Sequence, residues 1–290
     1  MRPTDADEAL HEVASDSPHW SDSLYFNAWD VATGTFLMTR MAVRPNEGVR
    51  TAGMLAWFDG APAWGYGRDL EGPPTSNWDV MRMGDLTYRM EQALQRWVVQ
   101  LHDGDDLVHL TFEGVTPCVD YGDDIPRAWA WGHYEQTCRV TGDLRVGGRS
   151  LAFDGWGQRD HSWGARDWAG LREWHWVTGF LLDPATGALV RSFNAFEATE
   201  ADGTVSQRGM TAEGTLLSFT RETDLAGTGA AQSCELDLGG SFGRVSGVAA
   251  ATAVPVKPHA GGTVVHEVPM RFRTPDGLEG FGVYELLTNP

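Results

Sequence analysis

The chain has 290 residues, 42% of them hydrophobic and 13 of them Trp, which is enough apolar mass for one large or two medium cores. Forty acidic residues against 22 basic ones give a formal charge of −18, which opposes phosphate neutralisation and excludes nucleic acid and anionic lipid surfaces as expected partners. Cys118, Cys138 and Cys234 are widely spaced and form no CxxC pair, so neither a disulfide framework nor a thiolate zinc site is implied.

Residues 1–20 read as an acidic, polar extension. No apolar run approaches the roughly 18 residues of a membrane span, so a cytoplasmic location without stable membrane insertion is expected. From there the hydrophobic period is mostly two, which predicts an all-β chain. Predicted strands run over 23–28, 34–43, 51–58, 97–101, 107–114, 135–146, 149–153, 175–182, 189–197 and 281–287. Asp-Gly pairs at 59–60, 103–104, 154–155, 202–203 and 276–277 are expected hairpin turns. The stretch from Leu86 to Leu101 carries good helix formers, but its Val- and aromatic-rich second half and the HDGDD turn after it favour strands. Residues 117–132 turn irregular and read as a connector, placing a first β-domain at 21–132 and a second at 133–290. Lys257, the only lysine, lies in a loop-like stretch and makes Schiff-base chemistry an unpromising reading. Dinucleotide, P-loop, GxSxG and HExxH signatures are absent.

One segment concentrates chemistry: GWGQRDHSWGARDW, Gly155 to Trp168, holds two Asp, two Arg, one His and three Trp. A buried strand tolerates Arg159, Asp160 and His161 in succession only if each charge finds a partner. The segment reads either as the floor of a pocket or as a buried ion-pair network that only fixes the fold.

The stretch His133 to Trp168, with its RDHSWG core, resembles the lipocalin-like proteins related to hydroxyneurosporene synthase, the carotenoid 1,2-hydratase, and more closely their two-domain relatives. Residues 21–60, with the Arg44-Pro45-Asn46-Glu47-Gly48 turn, and the closing GFGVYELL are similar to the first and last strands of that family. The resemblance implies two tandem lipocalin-like antiparallel barrels or sandwiches packed together, a small hydrophobic substrate, and addition of water to an isoprenoid double bond without a cofactor.

Protonating such a bond requires a strong acid, aromatic faces to stabilise the cation, and one controlled water. Asp160, His161 and Arg159 are the candidate catalytic residues. Trp156, Trp163, Trp168, Trp174, His175, Trp176, Tyr134 and His133 are the candidate substrate-binding residues. In a regular strand Arg159, His161 and Trp163 share one face while Asp160 and Ser162 share the other, so Asp160 and His161 remain alternative acids. His133, Asp160, His161 and His175 could ligate a metal, yet no HxH or HxxxH pair is present and no metal is expected. Three functions stay open: a hydratase or cyclase working by protonation, a cyclase or isomerase that shapes a polyene, and a carrier of hydrophobic small molecules.

Overall fold

The computed structural model describes residues 3–72, 80–121, 125, 130–240, 242–256 and 262–289. Lys257 and much of the expected connector lie outside the described residues. Among the described residues there is no α-helix, only strands and short 3-10 turns, and no helix is long and apolar enough to cross a membrane.

The chain divides into two compact units, Met1–Gly122 with Arg127–Arg166, and Asp167–Pro290 with Asp123–Pro126. In the first, β1 (Trp20–Asp30), β2 (Thr35–Arg44), β3 (Val49–Phe58), β4 (Ala61–Glu71), β5 (Val80–Met83), β6 (Leu86–Gln92), β7 (Arg96–Asp103), β8 (Asp106–Gly114), β9 (Val119–Asp120), β10 (Gly132–Val146) and β11 (Arg149–Ala165) form one sheet. Its order is β4-β3-β2-β1-β11-β10-β8-β7-β6-β5, with β9 beside β10. The sheet curls into a nearly closed barrel. Period-two alternation sends Leu24, Phe26, Leu37, Met54, Tyr88, Trp97 and Phe112 into a single apolar core.

The second unit repeats this plan. Strands β12 (Leu171–Leu182), β13 (Leu189–Glu200), β14 (Val205–Thr211) and β15 (Leu216–Leu217) lie to one side. Strands β16 (Thr220–Leu225), β17 (Ala231–Asp237), β18 (Arg244–Ala249), β20 (Val264–Arg273) and β21 (Glu279–Thr288) lie to the other, with β19 (Val254–Val256) beside β20. Its order, β15-β14-β13-β12-β21-β20-β18-β17-β16, again sets the first strand of the unit against the last. Phe193, Phe272, Leu236 and Tyr284 belong to its core.

Three expectations resolve here. Leu86 to Leu101 forms strands β6 and β7, as its second half predicted. The Asp154-Gly155 pair is not a turn, because β11 runs straight through it. The turn falls instead at Gly147-Gly148, both at positive φ, while a side chain at 155 would collide with the Trp29 carbonyl; that glycine serves close strand approach. The division at 132/133 is also corrected. Strands β10 and β11 pair with β8 and β1, so residues 133–166 complete the first barrel and the RDHSWG segment belongs to it.

Candidate active site

Strand β11 sits between β1 and β10, and their register fixes what each face carries. On the barrel-interior face, Arg159 lies opposite Phe26 and Gln136, and His161 opposite Leu24 and Tyr134. On the outer face Asp160 is flanked by Tyr25 and Glu135, and Ser162 by Ser23 and His133.

The inner face is closed by the polypeptide that precedes β1. A 3-10 turn, Asp5–Glu8, delivers the Glu8 carboxylate to Arg159 at 2.6 Å, and Leu94 N–H donates to it at 2.8 Å. Arg159 Nε also donates to Gln136 Oε1 at 2.7 Å. Next to this pair, Asp22 Oδ1 meets His161 Nε2 at 2.6 Å, and its Oδ2 meets His11 Nδ1 at 3.0 Å and accepts from the His11 backbone N–H. His161 Nδ1 lies 3.3 Å from the Tyr134 hydroxyl, and Trp163 stacks on His11 with ring centroids 3.8 Å apart. Burial, the largest single influence, would raise the pKa of Glu8, but the charge and hydrogen bond of Arg159, the His161 charge and the Leu94 N–H together outweigh it and hold the carboxyl below its usual range. For Asp22 burial is likewise outweighed, here by His161 and His11. Arg159, His161, Glu8 and Asp22 are all buried, and the ionic groups compensate one another.

The outer face is chemically different. His133 Nε2 and Glu135 Oε1 are 2.5 Å apart, His133 Nδ1 lies 2.5 Å from Ser162 Oγ, and Ser162 Oγ donates to Asp160 Oδ1 at 3.3 Å. A continuous chain thus runs from Glu135 through His133 and Ser162 to Asp160. His133, Glu135 and Ser162 are buried, whereas Asp160 keeps intermediate exposure although protein packs closely around it. Burial is the largest influence on Asp160 and the Glu135 carboxylate adds to it. Together they push its pKa up to about 6, against the opposing charges of His133, Arg166 and Arg40. The Tyr121 ring stacks on His133 at 5.8 Å.

The candidate residues named from sequence therefore separate. Asp160, His133 and Trp156 lie on the outer face; Arg159, His161, Trp163 and Tyr134 on the inner one. Trp156 lies beneath the Arg139 guanidinium, 5.1 Å from its ring. Trp168, Trp174, His175 and Trp176 belong to the second unit: Trp168 opens a 3-10 turn, and Trp174 Nε1 donates to Glu285 and Trp176 Nε1 to Asn194. His175 points to the opposite face of β12, bonded to the Tyr284 hydroxyl at 2.9 Å. Alternation along β11 puts Trp163 on the face opposite Asp160. Glu135, Ser162, Tyr25 and Asn27, like Glu8, His11 and Asp22, are not among the candidates named from sequence. The i, i+2 spacing of His133 and Glu135 at the start of the predicted strand 135–146 was the available signal for the relay.

Among the described residues, two clusters offer three metal-ligand atoms within 4.8 Å of one another: His11, Asp22 and His161, and His133, Glu135 and Asp160. In the first, the facing atoms already bond to each other. The second has two carboxylates and one imidazole, an oxygen-rich set suited to a hard divalent cation.

A family model described as a domain of unknown function, DUF7064, matches residues 4–290. No curated protein sequence matches the chain. Among solved structures, one assigned as AttH from Nitrosomonas europaea is similar at TM-score 0.71 and 14% identity, covering 96% of each chain. Kievitone hydratase from Nectria haematococca is similar at TM-score 0.66 and 13% identity, over 98% of this chain and 94% of its own. CghA is similar at TM-score 0.64 and 13% identity, over 94% and 89%. At such identities the likeness is one of fold, the two-domain lipocalin-like β architecture.

Proposed function

The chain belongs to the DUF7064 family, and we propose that it is a cofactor-independent acid–base enzyme in which Asp160 protonates a C=C bond or epoxide of a hydrophobic, isoprenoid-like substrate, leading to hydration or cyclisation. The observation that carries this reading is Asp160 itself, a residue of intermediate exposure whose carboxyl has a pKa raised to about 6 at the end of a buried hydrogen-bonded chain. Such a group is part protonated near neutrality and can act as an acid where an ordinary Asp cannot.

In the step envisaged, the Asp160 O–H proton passes to one alkene carbon, leaving a cation on the other. Tyr25, opposite Asp160, and Tyr121, stacked on His133, present aromatic rings near the developing charge. Water then adds to the cation and its extra proton returns to the Asp160 carboxylate, so the net reaction is addition of H2O. In cyclisation a second double bond of the substrate captures the cation, and Asp160 recovers the proton lost from carbon. His133, held by Glu135, positions the Ser162 hydroxyl that bonds to Asp160. His161 is less suited to this work, since Asp22 and Tyr134 occupy both of its ring nitrogens. The fold is shared with a protein named as a hydratase, which agrees with the proposal.

The test is turnover of C10 and C15 prenyl alcohols and hydrocarbons in deuterated water by the wild type, Asp160→Asn and His161→Gln. Deuterium on product carbon in the wild type, lost with Asp160→Asn and kept with His161→Gln, supports the assignment. Unimpaired turnover by Asp160→Asn sinks it. A prenyl compound that binds tightly and is never altered, in the wild type as well, would favour a carrier.

A further inference from the structure

Two residues along β1 from the Tyr25–Asp160 pair, and on the same face, stands Asn27. It is 0% exposed, and neither its Nδ2 nor its Oδ1 has a hydrogen-bond partner. Across the strands it faces Gln158 on one side and Met38 on the other. Tyr25 and Trp29 precede and follow it on its own face. A carboxamide in such a place is costly, since each orphaned polar atom forfeits on the order of 1–3 kcal/mol. A leucine of nearly the same shape would remove that cost and pack against Met38 and Trp29 with no polar atom to satisfy. Leu24, Phe26 and Ala28 of β1 lie in the core on the opposite, inner face, so the barrel's apolar packing does not account for the asparagine. Groups that stability alone would reject concentrate at functional sites.

We infer that Asn27 is a specificity-determining residue, its carboxamide recognising a neutral oxygen of an otherwise apolar substrate. Oδ1 accepts from a substrate hydroxyl, or Nδ2 donates to a substrate carbonyl. The inference rests on the reading of Asp160 as the acid and deepens it. Diagonal neighbours on one face of an antiparallel pair are roughly 7–8 Å apart, so one small molecule spans both groups, its double bond at Asp160 and its oxygen at Asn27. The ligand displaces whatever covers Asn27 in the free protein and reaches it along the face from the partly accessible Asp160. A pure hydrocarbon would leave the amide unpaired, and a site built to bond an oxygen discriminates strongly against an analogue lacking it.

Binding of three C15 probes, farnesol, farnesal and the hydrocarbon farnesene, and of the C10 set geraniol, citral and myrcene, to the wild type and to Asn27→Leu tests this by equilibrium dialysis. The wild type should bind an oxygenated probe at least tenfold more tightly than its hydrocarbon, and Asn27→Leu should bring the two together. The ligand-free Leu variant should melt no lower than the wild type. A preference that survives intact in Asn27→Leu, or its absence from the wild type in both sets, overturns the inference. If the Leu variant does not fold, Asn27→Ser carries the test, with a weakened preference expected and an unchanged one decisive against. These are binding readouts, so they stand apart from the acid assignment: Asp160→Asn should keep the preference for oxygen while losing turnover, and full turnover by that variant would fail the acid alone.

Discussion

The two faces of β11 carry charged residues side by side in sequence, yet they end in opposite chemical conditions. On the inner face Arg159 and His161 meet Glu8, Asp22, Gln136 and Tyr134, and the two carboxyls are held below their usual range. On the outer face Asp160 is pushed the other way by burial and by Glu135. A polar network whose members compensate each other rigidifies a fold, whereas a titratable group held against its preference stores free energy for chemistry. The contrast separates a structural cluster from a reactive one on a single strand.

The sharpest way to break this contrast is to exchange Asp160 for Asn. Turnover should fall by about 10²–10⁴-fold, the usual worth of a positioned acid, with substrate affinity retained; a loss of affinity alone would point to a binding role. On the inner face, Glu8→Gln strands Arg159 as a buried charge and should cost about 3–5 kcal/mol in urea unfolding. Adding Arg159→Met should return most of that, and if the double variant is as unstable as the single one the pair is not the source. The two faces should also respond oppositely to acid. Glu8 and Asp22, with lowered pKa values, lend stability above the ordinary carboxylate range that is lost as pH falls through it. Asp160, raised from 3.8 to about 6, lends stability only at low pH, and it disappears as pH rises toward 6. Asp160→Asn should therefore stabilise the protein above pH 6, by on the order of 2–3 kcal/mol, and change little at pH 4. Equal gains at both pH values would remove the titration from the account. The smallest effects are expected within the relay. The pH–rate profile should fall tenfold per unit above about 6; Glu135→Gln should move that limb to lower pH and His133→Gln to higher pH. Shifts in the same direction would contradict the charge assignment.

Much of this was legible in the sequence, and for definite reasons. Period-two alternation marked β1, β2, β3, β7, β8, β10 and the start of β11 in the first unit but only β12, β13 and β21 in the second, and it also placed Asp160 and His161 on opposite faces. What it could not carry was non-local. The closing strands β10 and β11 follow a long irregular segment, so the chain reads as though a new domain begins at His133, while β10 pairs back with β8 and β11 with β1, more than a hundred residues earlier. The same distance hid the inner network: Glu8 and His11 sit in a segment that composition marks only as acidic and polar, and Asp22 lies in β1 just ahead of the first predicted strand. Trp163 looked like a pocket wall because three indoles cluster in sequence, yet strand alternation turns it inward onto His11. Asp154-Gly155 looked like a turn because glycine at a turn and glycine at a close strand crossing share one letter.

The pairing of Trp20 with Ala165 has a consequence for how the molecule comes into being. The first unit is a curled sheet whose first and last strands in sequence pair at its middle, so forming it joins segments some 145 residues apart in the chain, and the Glu8–Arg159 pair spans 151. Loops of that length are closed only after their entropy has been overcome, and topologies rich in such pairings fold slowly. On the ribosome, strands β2 to β8 emerge and can pair as meanders, but the barrel waits for β11. Until Ala165 has left the exit tunnel, β1 lacks the neighbour that covers one of its edges, and the nascent chain carries that exposed edge through most of its synthesis.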